Sequence, residues 1–166
     1  MRDSDYGHAR ARHRLDSRVD ARLRCVGAFA ADRFVCRCTR IRRPTLRPRR
    51  HQFDPHTLVQ PDVFVTPLVE GRRPRDWADI RTLLLAIEVL APGTARADRR
   101  LKRRAYQRHG ILEYWIVDLD ARLIERWRPD DERPEVLGER LAWHPVPHLP
   151  QLELDLPELF TEVLDR

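Results

Sequence analysis

The sequence predicts a single α/β domain in which a mixed sheet is flanked by helices, and three observations carry that expectation. Residues 83–90 are apolar at every position except Glu88, as in a central strand covered on both faces. Residues 114–118 and 123–127 are aromatic and β-branched runs joined by a short polar turn, the pattern of a hairpin. Between these stretches lies a helix signal: Thr94 can cap its start, and Gly110 stands where a left-handed residue would end it near His109.

The other elements follow from periodicity and punctuation. Leu15, Val19, Leu23 and Val26 recur at three- and four-residue spacing, which predicts an amphipathic helix over residues 8–26 with an arginine-rich outer face, ended by Gly27. Residues 34–36 read as a short strand, and residues 40–50 are so rich in Arg and Pro that they read as loop or disorder. Alternation over residues 59–66 predicts a strand with Asp62 near its start, followed by a polar connection over residues 67–79. On the helix after residue 94, Asp98, Lys102 and Tyr106 fall at i, i+4 and i+8 and share a face, with Leu101 and Ala105 on an adjacent stripe. Tyr106, Tyr114 and Trp115 read as core. A short strand from Val136, an irregular crossover over residues 145–150, an edge strand at 152–156 and a terminal helix opened by Pro157 complete the chain. That order describes an α/β or α+β sheet of mixed strand directions.

At 166 residues the chain has room for one core of ordinary size. Its net charge of +6 is uneven: residues 1–50 hold fifteen Arg against five Asp, a local +10, so the remainder sums to −4. The expected division is therefore residues 1–50, a basic helix and Arg/Pro-rich segment, and residues 51–166, which carry the candidate site. The basic part would attract a polyanion or simply be solvated. No apolar run approaches the roughly 20 residues of a membrane span, and the opening residues lack an apolar signal core. With three cysteines, an odd number that fits reduced thiols, the expectation is a cytoplasmic protein. Cys36, Cys38, His51 and His56 overlap a zinc-finger spacing, but the cysteine pair is one residue too close.

One residue stands out among the 32 basic side chains: Lys102 is the sole lysine. A bias that writes surface cations as Arg leaves Lys where a compact ammonium on a flexible stem is needed. Asp62 and Glu88 on neighbouring strands would bring hard carboxylate oxygens to one point, and such ligands suit Mg²⁺, with Mn²⁺ as a substitute. A metal there would polarise a phosphoryl oxygen, while Lys102 would orient water or offset charge on the phosphate.

In chain order, Pro61-Asp62-Val63-Phe64-Val65, Ala86-Ile87-Glu88-Val89-Leu90-Ala91-Pro92-Gly93-Thr94, then Asp98, Lys102 and Tyr106, then the run from Gly110 to Asp118 resemble the Uma-type family of bacterial restriction-endonuclease-like proteins. That family is assigned to the PD-(D/E)XK nuclease superfamily, and the resemblance covers about residues 58 to 160 well. It implies a restriction-endonuclease-like fold, a metal-dependent DNA endonuclease, Asp62, Glu88 and Lys102 as catalytic residues, and Asp62, Glu88 and the Val89 carbonyl as metal ligands. The superfamily more often places its lysine two residues after the second acid, where Leu90 stands, so the resemblance implies a lysine displaced to the following helix. DNA is the expected partner and a homodimer a further expectation. The rival reading from another class is a non-catalytic nucleic-acid-binding or degenerate interaction module on the same fold.

Overall fold

All five residues of the strand Leu85–Val89 are buried, and it lies inside a six-stranded sheet. The computed structural model describes residues 11, 14, 15, 18, 34–38, 51–54, 57–72, 74, 79–90, 98–145 and 151–164. Their strands are β1 (Phe34–Cys38), β2 (His51–Asp54), β3 (Thr57–Val59), β4 (Val63–Pro67), β5 (Leu85–Val89), β6 (Glu113–Asp118), β7 (Leu123–Trp127), β8 (Glu135–Leu137), β9 (Arg140–Trp143) and β10 (Leu152–Asp155). Between β5 and β6 a π-helical turn, Asp98–Lys102, runs into α1 (Arg103–Arg108), and after β10 comes α2 (Leu156–Leu164).

The main sheet has the order β1-β4-β5-β6-β7-β8. Only β5 and β6 pair in parallel within it, and a parallel pair needs a crossover, which the segment carrying α1 supplies. Strand periodicity then sorts the side chains. Leu85, Ile87 and Val89 join Val63, Val65, Trp115 and Val117 in a core closed by Leu156, Leu159, Phe160 and Val163 of α2. Ala86 and Leu90 join Phe64, Tyr114 and Ile116 on the opposite face, under Ala105 and Tyr106 of α1. Burying each large aliphatic side chain contributes roughly 1.5–3 kcal/mol. Both faces of β5 are thereby fixed, and Glu88 is held on the α1 side.

The N-terminal helix is present at its described residues: Ala11, Arg14, Leu15 and Arg18 are helical, Ala11 and Leu15 are buried on the α2 side, and Arg18 pairs with Glu162 at 3.4 Å. Val19, Leu23, Val26, the run 40–50 and Thr94 lie outside the described residues. The strand expected at 34–36 extends to Cys38 and pairs with β4, so the sheet draws on residues from both sides of position 50.

Several expectations change. Residues 59–66 are not one strand: Pro61 has no N–H to donate, and the chain leaves β3 at Val59 and bends at Asp62 before β4 starts. The β2–β3 hairpin and β9, which pairs with β10 in a separate two-stranded sheet, are additional. Leu101 does not share a buried stripe with Ala105; it is 72% exposed. The hairpin β6–β7, the strand at Val136 and the terminal helix stand where the pattern placed them. No described helix is long and apolar enough to cross a membrane.

Candidate active site

Register brings the two predicted acids together. Val63 faces Ile87 across the antiparallel β4–β5 pair, so one further step sets Asp62 opposite Glu88. Both are buried. Asp62 Oδ2 accepts the backbone N–H of Val89 at 2.9 Å, which fixes that carboxylate beside the end of β5. Like charges directly opposite on a sheet repel, so this placement needs compensation.

The compensation comes from the helix above. Lys102 Nζ lies 2.9 Å from Glu88 Oε1, and the Tyr106 hydroxyl donates to the same oxygen at 3.2 Å. Lys102 also lies 2.8 Å from Oδ1 of the buried Asp98. At that distance the ammonium and the carboxylate make a charge-assisted contact across one turn. The lysine side chain is 30% exposed, which puts its ammonium at the rim of an otherwise buried cluster.

Burial is the largest influence on Glu88 and pushes its carboxyl up to about 8; Lys102 opposes the rise, while Asp62 and Asp98 add to it. For Lys102, burial disfavours the charge, but Glu88 and Asp98 outweigh it and hold the ammonium above its ordinary value. Burial first, and then Glu88, keep the Tyr106 and Tyr114 phenols well above theirs.

A second ionic group sits further along the same face. Ile116 pairs with Glu88 on one side and Glu125 on the other, so Glu125 lies in the same row across the sheet. Arg99 donates to Glu125 Oε1 at 2.7 Å and to Asp118 Oδ2 at 3.0 Å, tying the π turn to β6 and β7.

The Uma2 family, described as "Putative restriction endonuclease", matches residues 21–157. The chain belongs to this family. A crystal structure titled as a putative nuclease belonging to DUF820, from Anabaena variabilis, is similar with a TM-score of 0.65 and 21% identity, covering 93% of this chain and 82% of that one. At that identity the likeness is one of fold, and it agrees with the nuclease-like mixed sheet expected from the motifs. No curated protein matches the chain.

Among the described residues of this Uma2-family chain, no three His, Cys, Asp or Glu side chains are arranged to hold a metal ion by themselves. What the site offers is a pair of hard carboxylates, Asp62 and Glu88, with a third buried acid, Asp98, held by the same ammonium as Glu88. An incomplete all-oxygen set fits Mg²⁺ better than a softer ion, because Mg²⁺ keeps several waters and takes one or two carboxylates.

Of the residues singled out from sequence, Glu88 and Lys102 are in direct contact, Asp62 is on the adjacent strand position, and the Val89 N–H is engaged by Asp62. Sequence reasoning read Tyr106 as core and placed Asp98 on the helix face of Lys102 without a role of its own. Tyr106 is core and also bonds Glu88. The available signal was the shared helix stripe Asp98, Lys102, Tyr106. Nothing comparable marked Arg99 with Asp118 and Glu125.

Proposed function

We propose that the chain is a metal-dependent endonuclease that hydrolyses phosphodiester bonds in DNA. The observation that carries this reading is the ammonium of the sole lysine, 2.9 Å from a buried glutamate whose strand neighbour is a buried aspartate. Asp62 and Glu88 would hold Mg²⁺ or Mn²⁺, with the Val89 carbonyl as a third ligand. When bound, such an ion polarises a phosphoryl oxygen and lowers the pKa of a coordinated water.

The chain's own residues do the rest. Lys102, partly exposed and positively charged, offsets charge on the phosphate or orients the attacking water. Asp98 shares that ammonium, and the packing of α1 over β5 excludes bulk water from Glu88. The net charge of +6 favours approach to a polyanion. On this reading the protein works in the cytoplasm.

The test is cleavage of supercoiled and linear duplex DNA in Mg²⁺ or Mn²⁺, with and without a chelator. Turnover should vanish with the chelator while DNA affinity persists. Cleavage that survives chelation would overturn the metal-dependent reading, and binding without cleavage in either ion would assign the chain to a non-catalytic binding module.

A further inference from the structure

Two donors from one helix converge on a single oxygen of Glu88. Lys102 Nζ and the Tyr106 hydroxyl both meet Oε1, at 2.9 and 3.2 Å. Lys102 is in turn held by Asp98 at 2.8 Å. Asp98, Lys102 and Tyr106 thus form a line of contacts ending on one carboxylate oxygen.

The backbone makes that line unusually straight. An α-helix turns about 100° per residue, so eight residues of it would leave Asp98 roughly 80° from Tyr106 around the axis. Asp98–Lys102 is instead a π turn. Its i→i+5 closure advances roughly 80° per residue, which brings Asp98 nearly into line with Tyr106. The wide turn therefore places an acid, a cation and a hydroxyl on one stripe above β5.

We propose that Tyr106 and Asp98 are positioning residues: Tyr106 pins Oε1 of Glu88 so that Oε2 is presented to a divalent cation, and Asp98 holds Lys102 against the pinned oxygen. This rests on the nuclease reading above. Partners that orient a metal-ligating carboxylate are worth about 10–100-fold in metal affinity or activity when removed. Tyr106 is suited to the task because it is fully buried and its ring packs on Tyr114 with centroids 4.6 Å apart, so its hydroxyl has little freedom to move.

The experiment uses Tyr106→Phe and Asp98→Asn in the full chain, with Mn²⁺ affinity measured by calorimetry in the absence of DNA and steady-state cleavage measured separately. Tyr106→Phe keeps the ring and removes the hydroxyl. It should weaken Mn²⁺ binding and lower kcat, each by roughly 10–100-fold, with the KM for DNA unchanged. Asp98→Asn keeps the side-chain volume and should lower kcat on the same scale, again without moving KM. A Tyr106→Phe protein with wild-type Mn²⁺ affinity and kcat makes the hydroxyl purely structural and overturns the proposal. If that variant fails to fold, Asp98→Asn decides: wild-type kcat overturns the proposal. A wild-type protein that binds no Mn²⁺ and cuts no DNA sinks the nuclease reading and this inference together. Wild-type activity matched by both variants sinks the inference alone.

Discussion

Replacing Glu88 by Gln should flatten the pH dependence of stability in the metal-free protein. In the folded state Glu88 holds its proton up to about 8, whereas its ordinary value is 4.5. Between those values the native state binds more protons than the unfolded chain, so stability is full below about 4.5 and declines as pH rises toward 8. One pKa unit corresponds to about 1.4 kcal/mol, so the whole interval represents on the order of 4–5 kcal/mol. Glu88→Gln cannot release a proton, and its carboxamide can still accept from Tyr106. Urea denaturation in a chelator at pH 5, 6.5 and 8 reads the difference between wild type and variant. Subtracting the two curves removes groups common to both, such as Glu113, which burial also pushes up. The variant should gain on the wild type by several kcal/mol between pH 5 and pH 8. A constant difference across that range would show that Glu88 is not buried against its charge, and the electrostatic account of the site would fall.

Lys102→Arg should impair cleavage nearly as badly as Lys102→Ala, each by roughly 10² or more, because a planar guanidinium cannot sit where the ammonium bridges two acids. Wild-type cutting by Lys102→Arg in a plasmid assay would reduce Lys102 to a surface cation. Lys102→Ala should also lower stability in urea denaturation, by up to about 3–5 kcal/mol, since it leaves Glu88 and Asp98 buried without their shared partner. Arg100, Arg104 and Arg108 are exposed and have no ion pair among the described residues. Neutralising them should reduce the slope of log affinity for DNA against log salt by roughly one unit per lost phosphate contact; an unchanged slope would make them a solvated face.

How much of the fold was legible depended on how strongly each segment was patterned. In β5 one charge interrupts an apolar run, and tertiary burial did what that pattern required. The β6–β7 hairpin was equally plain, because its β-rich runs flank a polar turn. Residues 59–66 alternate as a strand should, yet the proline before Asp62 breaks the ladder, so periodicity alone joined two strands that hydrogen bonding separates. β2 is short and mostly polar, β3 has only three residues, and β9 follows a run of charged and turn residues, so none had enough pattern to be read.

The site divides the same way. Glu88 was visible as an acid in an apolar strand and Lys102 as a lone lysine among arginines. Tyr106 was not, since a buried tyrosine is ordinarily core and only the seating of α1 over β5 shows where its hydroxyl ends.

The two ionic groups on the α1 face are separated by Ile116 and differ in their charge accounts. Around Arg99 there are two acids, Asp118 and Glu125, with one cation, and both acids are bonded to it. Around Lys102 the described residues include three buried acids, Asp62, Glu88 and Asp98, and Lys102 contacts the last two. With every acid ionised these four described residues sum to a formal −2, and buried charge is costly. Either a proton must be held or further positive charge supplied. The rise of Glu88 to about 8 is the first of these remedies. A divalent cation would be the second, and it would match the deficit in full where one proton matches half. The same imbalance that destabilises an ionised Glu88 is thus what a metal-dependent mechanism would exploit. In contrast, the Arg99 group is a tether between helix and sheet.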